Sequence, residues 1–178
     1  MTAWRQTWRT VLWGLLLLCL RAHAADAPSE YQVKAVFLLN FTKFVAWPPT
    51  AFENPDSPLS ICILGDDPFG TLLDRVVAGE TVNGRRVTVQ RLLRPPSPGS
   101  CQVLFVGKSE KDVPALLGRL GPGVLTVSDR DAFLREGGMI AFLIEDRHVR
   151  FDIDQRAALR AGLAMNARLL NVARLVQK

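Results

Sequence analysis

LSICILGDDPFG, residues 59–70, is the stretch that decides the fold. Its first six residues are almost all apolar, include two isoleucines, and lie between a proline and a glycine. A short apolar run between such breakers predicts a strand that is buried on both faces. Asp67 and Pro68 follow as N-cap and first-turn residues of a helix that we expect to end at Val77. A buried strand followed directly by a helix is typical of an α/β fold.

Strand and helix signals alternate along the rest of the chain. Apolar or alternating runs predict further strands at 86–92, Val103–Val106 and 124–127, and helical patterns fall at 110–120 and 128–134. No repeat or long loop-rich segment divides this order into two domains. The sequence therefore predicts one α/β domain, Rossmann- or flavodoxin-like, with a mostly parallel sheet and helices on both faces.

The last third of the chain predicts an antiparallel addition to that sheet. Residues 139–144 and 149–153 are apolar or alternating runs on either side of EDRH, residues 145–148, and this pattern indicates a β-hairpin. Asp154 follows as an N-cap. We expect one long final helix over residues 155–176, because leucines and alanines form a stripe at helical spacing there.

The N-terminus carries the pattern of a secretory signal peptide. Arg5 and Arg9 precede an apolar run of about ten residues, and Ala22-His23-Ala24 forms a small-x-small cleavage box. A transmembrane helix needs roughly 20 apolar residues, so a membrane anchor is the weaker interpretation. We expect cleavage after residue 24, which makes residues 25–178 a single exported domain in the periplasm, with no membrane insertion of the mature chain.

Charge argues against a nucleic-acid partner. The predicted signal segment holds three of the 22 basic residues and none of the 17 acidic ones, so its removal lowers the net charge from +5 to +2. The mature chain has no dense basic stripe interleaved with aromatic residues.

Two cysteines, Cys62 and Cys101, remain in the mature chain. An even number in an oxidising compartment favours a disulfide, although two buried free thiols are the alternative. Cys62 lies within the first predicted strand and Cys101 just before the strand expected beside it. Neighbouring strands are about 4.8 Å apart, which suits the Cα separation of a disulfide.

The segment 29–47 predicts a helix that Ser29 caps and that the prolines at 48 and 49 end. Its apolar residues spread over more than one face, so it needs cover on two sides. The sheet is one cover, and another chain is a candidate for the second. The candidate partner or dimer interface consists of the aromatic residues Tyr31, Phe37, Phe41, Phe44 and Trp47.

Catalytic and metal-binding constellations do not emerge from the mature sequence. Its one histidine, His148, lies between Arg147 and Arg150, which disfavour a protonated imidazole and do not tune it as a base. One histidine and two cysteines do not supply a zinc site. The turn at 65–70 matches no phosphate-binding motif, and its two aspartates favour a capping turn. We predict no enzyme activity, metal or cofactor.

A basic cluster late in the chain is a candidate anion site. Arg147, His148 and Arg150 belong to the predicted hairpin, and Arg160 to the helix after it. Guanidinium groups in such a set bind small anions, whereas the alternative is a solvated basic edge.

These motifs together resemble the YfiR family. The resemblance extends over essentially the whole mature chain. It is carried by the run from Tyr31 to Phe44 with Trp47-Pro48, Ile61 to Gly65, Asp67 to Gly70, Cys101, Leu104 to Val106, Leu125 to Asp129, Phe133, Gly137 to Ile140, Phe142, Phe151 to Asp154, Ala157-Ala158, Ala161 to Leu163 and Arg168 to Leu170.

The resemblance implies a periplasmic α/β protein that represses a membrane-bound diguanylate cyclase by contacting its periplasmic sensor domain. It also implies that the protein responds to redox state, forms dimers, and pairs Cys62 with Cys101. Some family members carry a second cysteine pair near the late hairpin, which this chain lacks. The alternative function is a small-ligand-binding module that serves another membrane sensor.

Overall fold

The computed structural model describes residues 29–178, so the predicted signal peptide lies outside the described residues. The helices are α1 (Glu30–Phe44), α2 (Thr71–Val77), α3 (Val113–Arg119), α4 (Gln155–Arg160) and α5 (Ala167–Val172), and Pro49–Ala51 forms a 3-10 turn. The strands are β1 (Val45–Ala46), β2 (Leu59–Leu64), β3 (Thr81–Val82), β4 (Arg85–Leu92), β5 (Val103–Val106), β6 (Leu125–Ser128), β7 (Ile140–Glu145), β8 (His148–Asp154), β9 (Ala164–Met165) and β10 (Leu175–Gln177).

Eight of these strands form one sheet in the order β10-β8-β7-β6-β5-β2-β4-β3. All neighbours are parallel except the β7–β8 and β3–β4 pairs. The central order β4-β2-β5-β6-β7 is the flavodoxin-like order, in which β4 adds on one side of β2 and the later strands add on the other. The predicted fold class is therefore confirmed.

β2 lies at the centre of the sheet, as its sequence predicts. All six of its residues are buried, and it pairs with β4 on one side and β5 on the other. Apolar side chains at alternate positions face two separate cores. Ile61 and Ile63 belong to the core under α1 and α2, whereas Cys62 and Leu64 belong to the core under α3. Helices therefore cover both faces.

α1 begins with a capping box. The Ser29 hydroxyl accepts a hydrogen bond from the N–H of Gln32, and the Gln32 side chain accepts one from the N–H of Ser29. The helix ends at Phe44, before the predicted end at 47, because Val45 leaves it to pair with Met165 of β9.

The predicted long final helix is wrong. α4 ends at Arg160, and Gly162 adopts a φ of 75° in the left-handed region. The N–H of Gly162 donates to Leu159 and that of Leu163 to Ala158, which is a Schellman C-cap. The chain then forms β9 and α5, and β10 adds in parallel to β8. The apolar residues that predicted one helix are therefore divided among α4, α5, β10 and the segments between them.

Other helix boundaries are narrower than the sequence indicates. α2 begins at Thr71, four residues after Asp67, and α3 spans Val113–Arg119 with Asp112 as its N-cap. Residues 131–137 form turns, and the short helix predicted over 128–134 is absent.

The sheet contains two hairpins, and both have a two-residue turn. The predicted β7–β8 hairpin is present, with Asp146 and Arg147 at positive φ in its turn. The β3–β4 hairpin turns at Asn83-Gly84, both also at positive φ. Asn-Gly is a strong signal for this turn type, so the sequence contains the information for β3.

Candidate functional site

The reversal of strand order places the carboxyl ends of β2 and β5 side by side. In open α/β sheets, ligands bind in the crevice outside the carboxyl ends of the strands at such a point. The loops there begin with Gly65-Asp66 after β2 and Gly107-Lys108 after β5. This edge is therefore the first place to look for a functional site.

The chain's own side chains close that crevice. The N–H of Asp66 donates to the Ser109 hydroxyl at 2.9 Å, and the N–H of Ser109 donates to Asp66 Oδ1 at 2.8 Å. The backbone N–H of Ser109 is the main cause, and with the Ser109 side chain it holds the pKa of the Asp66 carboxyl below its usual range. A Cβ on Gly107 would lie 2.4 Å from Asp66 Oδ1, so the two loops require glycine here.

Asp67 is not the helix N-cap that the sequence predicted, because Gly70 takes that position in α2; Asp67 caps the turn between β2 and α2. Its Oδ1 accepts the N–H groups of Phe69 at 2.8 Å and Gly70 at 3.1 Å. Arg91 of β4 donates to Asp67 at 2.7 Å and to Asp74 of α2. In a phosphate-binding loop, backbone N–H groups at this position point at the ligand. Here the Asp67 carboxylate accepts those of Phe69 and Gly70 instead.

A buried charged cluster lies at the same edge, one strand further on. Lys34 of α1 is 2% exposed, and its Nζ donates to Asp129 Oδ2 at 2.7 Å and to Glu30 Oε1 at 2.5 Å. Asp129 follows β6 directly and its side chain is 4% exposed. A buried charge is tolerated only when it is paired and hydrogen-bonded, so this pair fixes α1 to the end of β6.

Tyr31 completes the cluster, which we call the Lys34–Asp129 cluster (Glu30, Tyr31, Lys34, Asp129). Its hydroxyl donates to Asp129 Oδ2 at 3.0 Å, and its ring lies 4.5 Å from Lys34 Nζ. Burial first, and then the hydrogen bond and negative charge of Asp129, raise the pKa of Tyr31 to about 12. The phenol therefore stays a neutral donor to the carboxylate at any physiological pH.

The cluster reaches solvent mainly through Glu30, whose side chain is 44% exposed, while Asp129 borders a cavity at the edge of the sheet. Lys108 Nζ lies 3.7 Å from Asp129 Oδ2, and both residues line a shallow cavity of about 300 Å³ with Arg130. The Lys34 amine is enclosed on all sides. The arrangement holds charges in place and offers no accessible nucleophile from Lys34.

The disulfide between Cys62 and Cys101 is present, with a Cα separation of 6.1 Å. Both cysteines are buried in the core under α3. The bond joins the central strand β2 to the residues that lead into β5. It therefore ties the segment containing α2, β3 and β4 to the centre of the sheet.

The predicted aromatic interface residues are distributed between core and surface. Phe41 is fully buried, where it stacks on Phe142 and meets Phe151 edge to face. Its inclusion in a surface is wrong, because a residue inside the core has no solvent-facing side. The other four, Tyr31, Phe37, Phe44 and Trp47, are partly buried. α2 and α5 also pack against α1, so this chain itself supplies part of the second cover.

The predicted anion cluster is not assembled as one group. Arg147, His148 and Arg150 are exposed near the turn of the β7–β8 hairpin. Arg160 lines a cavity of about 290 Å³ with Met139, at the opposite end of the hairpin. The length of β8, about 20 Å at 3.3 Å per residue, separates the two positions.

Sequence reasoning missed the Lys34–Asp129 cluster. A signal for it exists, because Lys34 is a cation among apolar residues of α1 and lies four residues after Glu30. The partner Asp129 is 95 residues away in sequence, and only the fold brings it to Lys34.

The sheet order defines a flavodoxin-like α/β domain, and the disulfide crosslinks its central region. Its own side chains fill the crevice where the strand order reverses. The model of the YfiR/HmsC-like family matches residues 31–174, and the chain therefore belongs to that family. This match confirms the resemblance of the sequence. No curated protein matches the chain. None of the helices between residues 29 and 178 has the length and hydrophobicity needed to cross a membrane.

Proposed function

We propose that this chain is a periplasmic regulatory protein that binds and represses the periplasmic sensor domain of a membrane-bound diguanylate cyclase. It lowers cyclic-di-GMP signalling and thereby limits biofilm formation. The observation that carries the proposal is the family match over residues 31–174. The signal-peptide pattern at the N-terminus supports export.

A binding role rather than catalysis fits the carboxyl edge of the sheet. The Asp66–Ser109 bonds and the Asp67 cap take up the groups that a substrate would contact at a flavodoxin-like switch point. The buried Lys34 amine is likewise committed to two carboxylates. We infer that the protein acts through its surface.

The contact surface that we propose lies on the outer side of α1. It includes the partly exposed rings of Phe37 and Phe44, and Val36, which is 46% exposed. α5 packs beside α1 and presents Val172, which is 61% exposed. Exposed apolar side chains on adjacent helices suit either the sensor domain or a second copy of this chain.

Redox state is the regulatory input that we propose. Reduction of the Cys62–Cys101 bond would loosen the segment between β2 and β5, which carries α2 beside α1. The proposed contact surface would then lose part of its support.

Deletion of the gene tests the regulatory function. We expect cyclic-di-GMP to rise, and to return to its normal level with the wild-type gene but not with Phe44→Glu. Arg135→Glu is the control, because Arg135 is exposed on a turn outside α1 and the substitution introduces the same residue type. Unchanged cyclic-di-GMP, with no membrane protein recovered by periplasmic cross-linking, would remove the proposal.

The cavity at Arg160 favours a second candidate function, a small-ligand-binding module. Its walls combine Arg160 and Thr126 with the apolar Leu117, Val124 and Met139. Calorimetry against nucleotides and amino acids tests it. Binding that Arg160→Ala abolishes supports the module, whereas no heat from any of these compounds excludes it.

A further inference from the structure

The sheet ends at an edge that is only partly covered. β4 pairs with β2 along Val87 to Leu92, but on its outer side β3 pairs only with Arg85 and Arg86. β3 is two residues long, so the outer side of the rest of β4 has no neighbouring strand among residues 29–178.

Backbone groups at this edge are free to bond. The N–H of Val87 donates to the carbonyl of Glu80, so Val87 directs its backbone outward. Because backbone groups point to alternate sides along a strand, Val89 and Arg91 direct theirs outward as well. Neither has a backbone partner on that side among the residues that the structure describes. The edge therefore offers the bonds that an added strand needs.

Side chains give the edge two different faces. On the face that carries α2, Val76 and Val89 are only partly buried and form a partly exposed apolar surface. On the other face, Arg86 and Thr88 line an open cavity of about 860 Å³ together with Thr81, Asn83 and Asp56.

The edge is also basic. Residues 85–94 contain four arginines and no acidic residue. Arg91 is paired with Asp67 and Asp74, and Arg85 stacks on Phe52 and donates to the Ser57 carbonyl. Arg86 and Arg94 are exposed and have no carboxylate within 4.0 Å among residues 29–178.

We propose that the outer edge of β4 binds an extended segment of a partner protein by strand addition. The segment alternates apolar residues, which meet Val76 and Val89, with acidic residues, which meet Arg86. Backbone bonds to Val89 and Arg91 supply the affinity, and the two faces supply the specificity. This surface lies at the sheet edge opposite to β10. The proposal does not depend on the regulation of a cyclase.

A synthetic peptide tests the strand addition directly. The probe is a blocked, fluorescently labelled nonapeptide in which valine and glutamate alternate, and binding is followed by fluorescence anisotropy with the full mature chain. We expect saturable binding, and slower hydrogen exchange at the amides of Val89 and Arg91 in the complex. N-methylation of one alternate set of peptide residues should abolish binding, whereas N-methylation of the other set should not.

Variants separate this edge from general charge attraction. Arg86→Glu should weaken binding at least about fivefold, because it places like charges face to face. Arg135→Glu, which changes the net charge equally at an exposed turn, should leave it unchanged.

Three results would overturn the proposal. They are unchanged exchange at Val89 and Arg91, equal binding of a peptide with the same composition in which valines and glutamates are grouped, and equal binding of both N-methylated peptides. Binding to phosphatidylglycerol vesicles without binding to the peptide would assign the basic edge to a membrane surface instead.

Discussion

Lys34 and Asp129 are 95 residues apart in sequence, and their side chains meet at 2.7 Å in a site from which solvent is almost excluded. The pair joins the first helix to the end of β6. Removing one partner of a buried pair leaves an uncompensated charge, which is far more costly than losing an exposed pair.

Replacement of Lys34 therefore tests the pair. Lys34→Met should lower the free energy of unfolding by about 3–5 kcal/mol. Lys43→Met, which removes an exposed pair with Glu80 from the same helix, should change it by no more than about 1 kcal/mol. Urea unfolding measures both variants. A Lys34→Met/Asp129→Asn double variant should lose less than the sum of the single variants, and strict additivity would show that the two groups are not coupled.

The phenol of Tyr31 reports on the same cluster without disrupting the fold. Tyr31 is the one tyrosine of the chain, so absorbance of the phenolate follows it alone. We expect ionisation with a pKa of about 12, and a lower pKa in Asp129→Asn, where the negative charge is absent. Titration of the native protein near its ordinary value of 10.0 would contradict the hydrogen bond to Asp129.

The same shift predicts how stability depends on pH. Because the pKa of Tyr31 is raised in the folded state, the folded protein holds its phenolic proton more tightly than the unfolded chain does. The contribution to stability is complete below pH 10 and is lost as the pH rises towards about 12. Tyr31→Phe should lose this part of the alkaline dependence, which urea titrations at several pH values measure.

The disulfide is expected to stabilise the fold considerably. Cys62 and Cys101 close a loop with a sequence separation of 39, and loss of the bond should lower stability by about 2–5 kcal/mol. Cys62→Ala/Cys101→Ala and the reduced wild type should show similar losses in urea unfolding. If the double variant is present at normal abundance and still represses, the bond is a structural staple and not a redox switch. Free thiols at both positions in periplasmic material would show that the bond does not form there.

Gly107 tests the closure of the switch point. In Gly107→Ala, the new methyl group would lie 2.4 Å from Asp66 Oδ1 and 2.6 Å from the Asp66 carbonyl oxygen. The loops must separate to admit it, and we expect a loss of about 1–3 kcal/mol in thermal or urea unfolding. Gly118→Ala, in α3 with open space around the new methyl group, should be neutral or slightly stabilising. Equal behaviour of the two variants would contradict a tight closure.

Phe41 and Phe44 distinguish core from surface on α1. Phe41→Ala should destabilise by about 3–5 kcal/mol, because its ring is enclosed by Phe142 and Phe151. Phe44→Ser should have a smaller effect on stability, since its ring is only partly buried. If the proposed contact surface is correct, Phe44→Ser lowers repression at normal abundance. Repression that stays normal in Phe44→Ser would direct the search to another face of the protein.

Local patterns in the sequence determined much of the fold. The apolar run at Leu59–Leu64 predicted the central strand, since a strand that is covered on both faces needs apolar residues throughout. Strand and helix alternation predicted the parallel sheet, and the even cysteine count predicted the Cys62–Cys101 bond. These features follow from the nearest residues or from composition, so a sequence without coordinates contains them.

Tertiary structure alone decided the rest. The leucine stripe at 155–176 is compatible with one helix, but the left-handed turn at Gly162 and the pairing of β10 with β8 divide it. The sequence of α1 did not reveal that Phe41 is buried in the core while Phe44 lies at the edge of the core. α1 has several apolar faces, and the elements that pack against it decide which face is buried. Lys34 pairs with Asp129 because the strand order of the sheet places the end of β6 beside α1. Long-range pairing of charges depends on which strands become neighbours, and no local spacing in the chain encodes that choice.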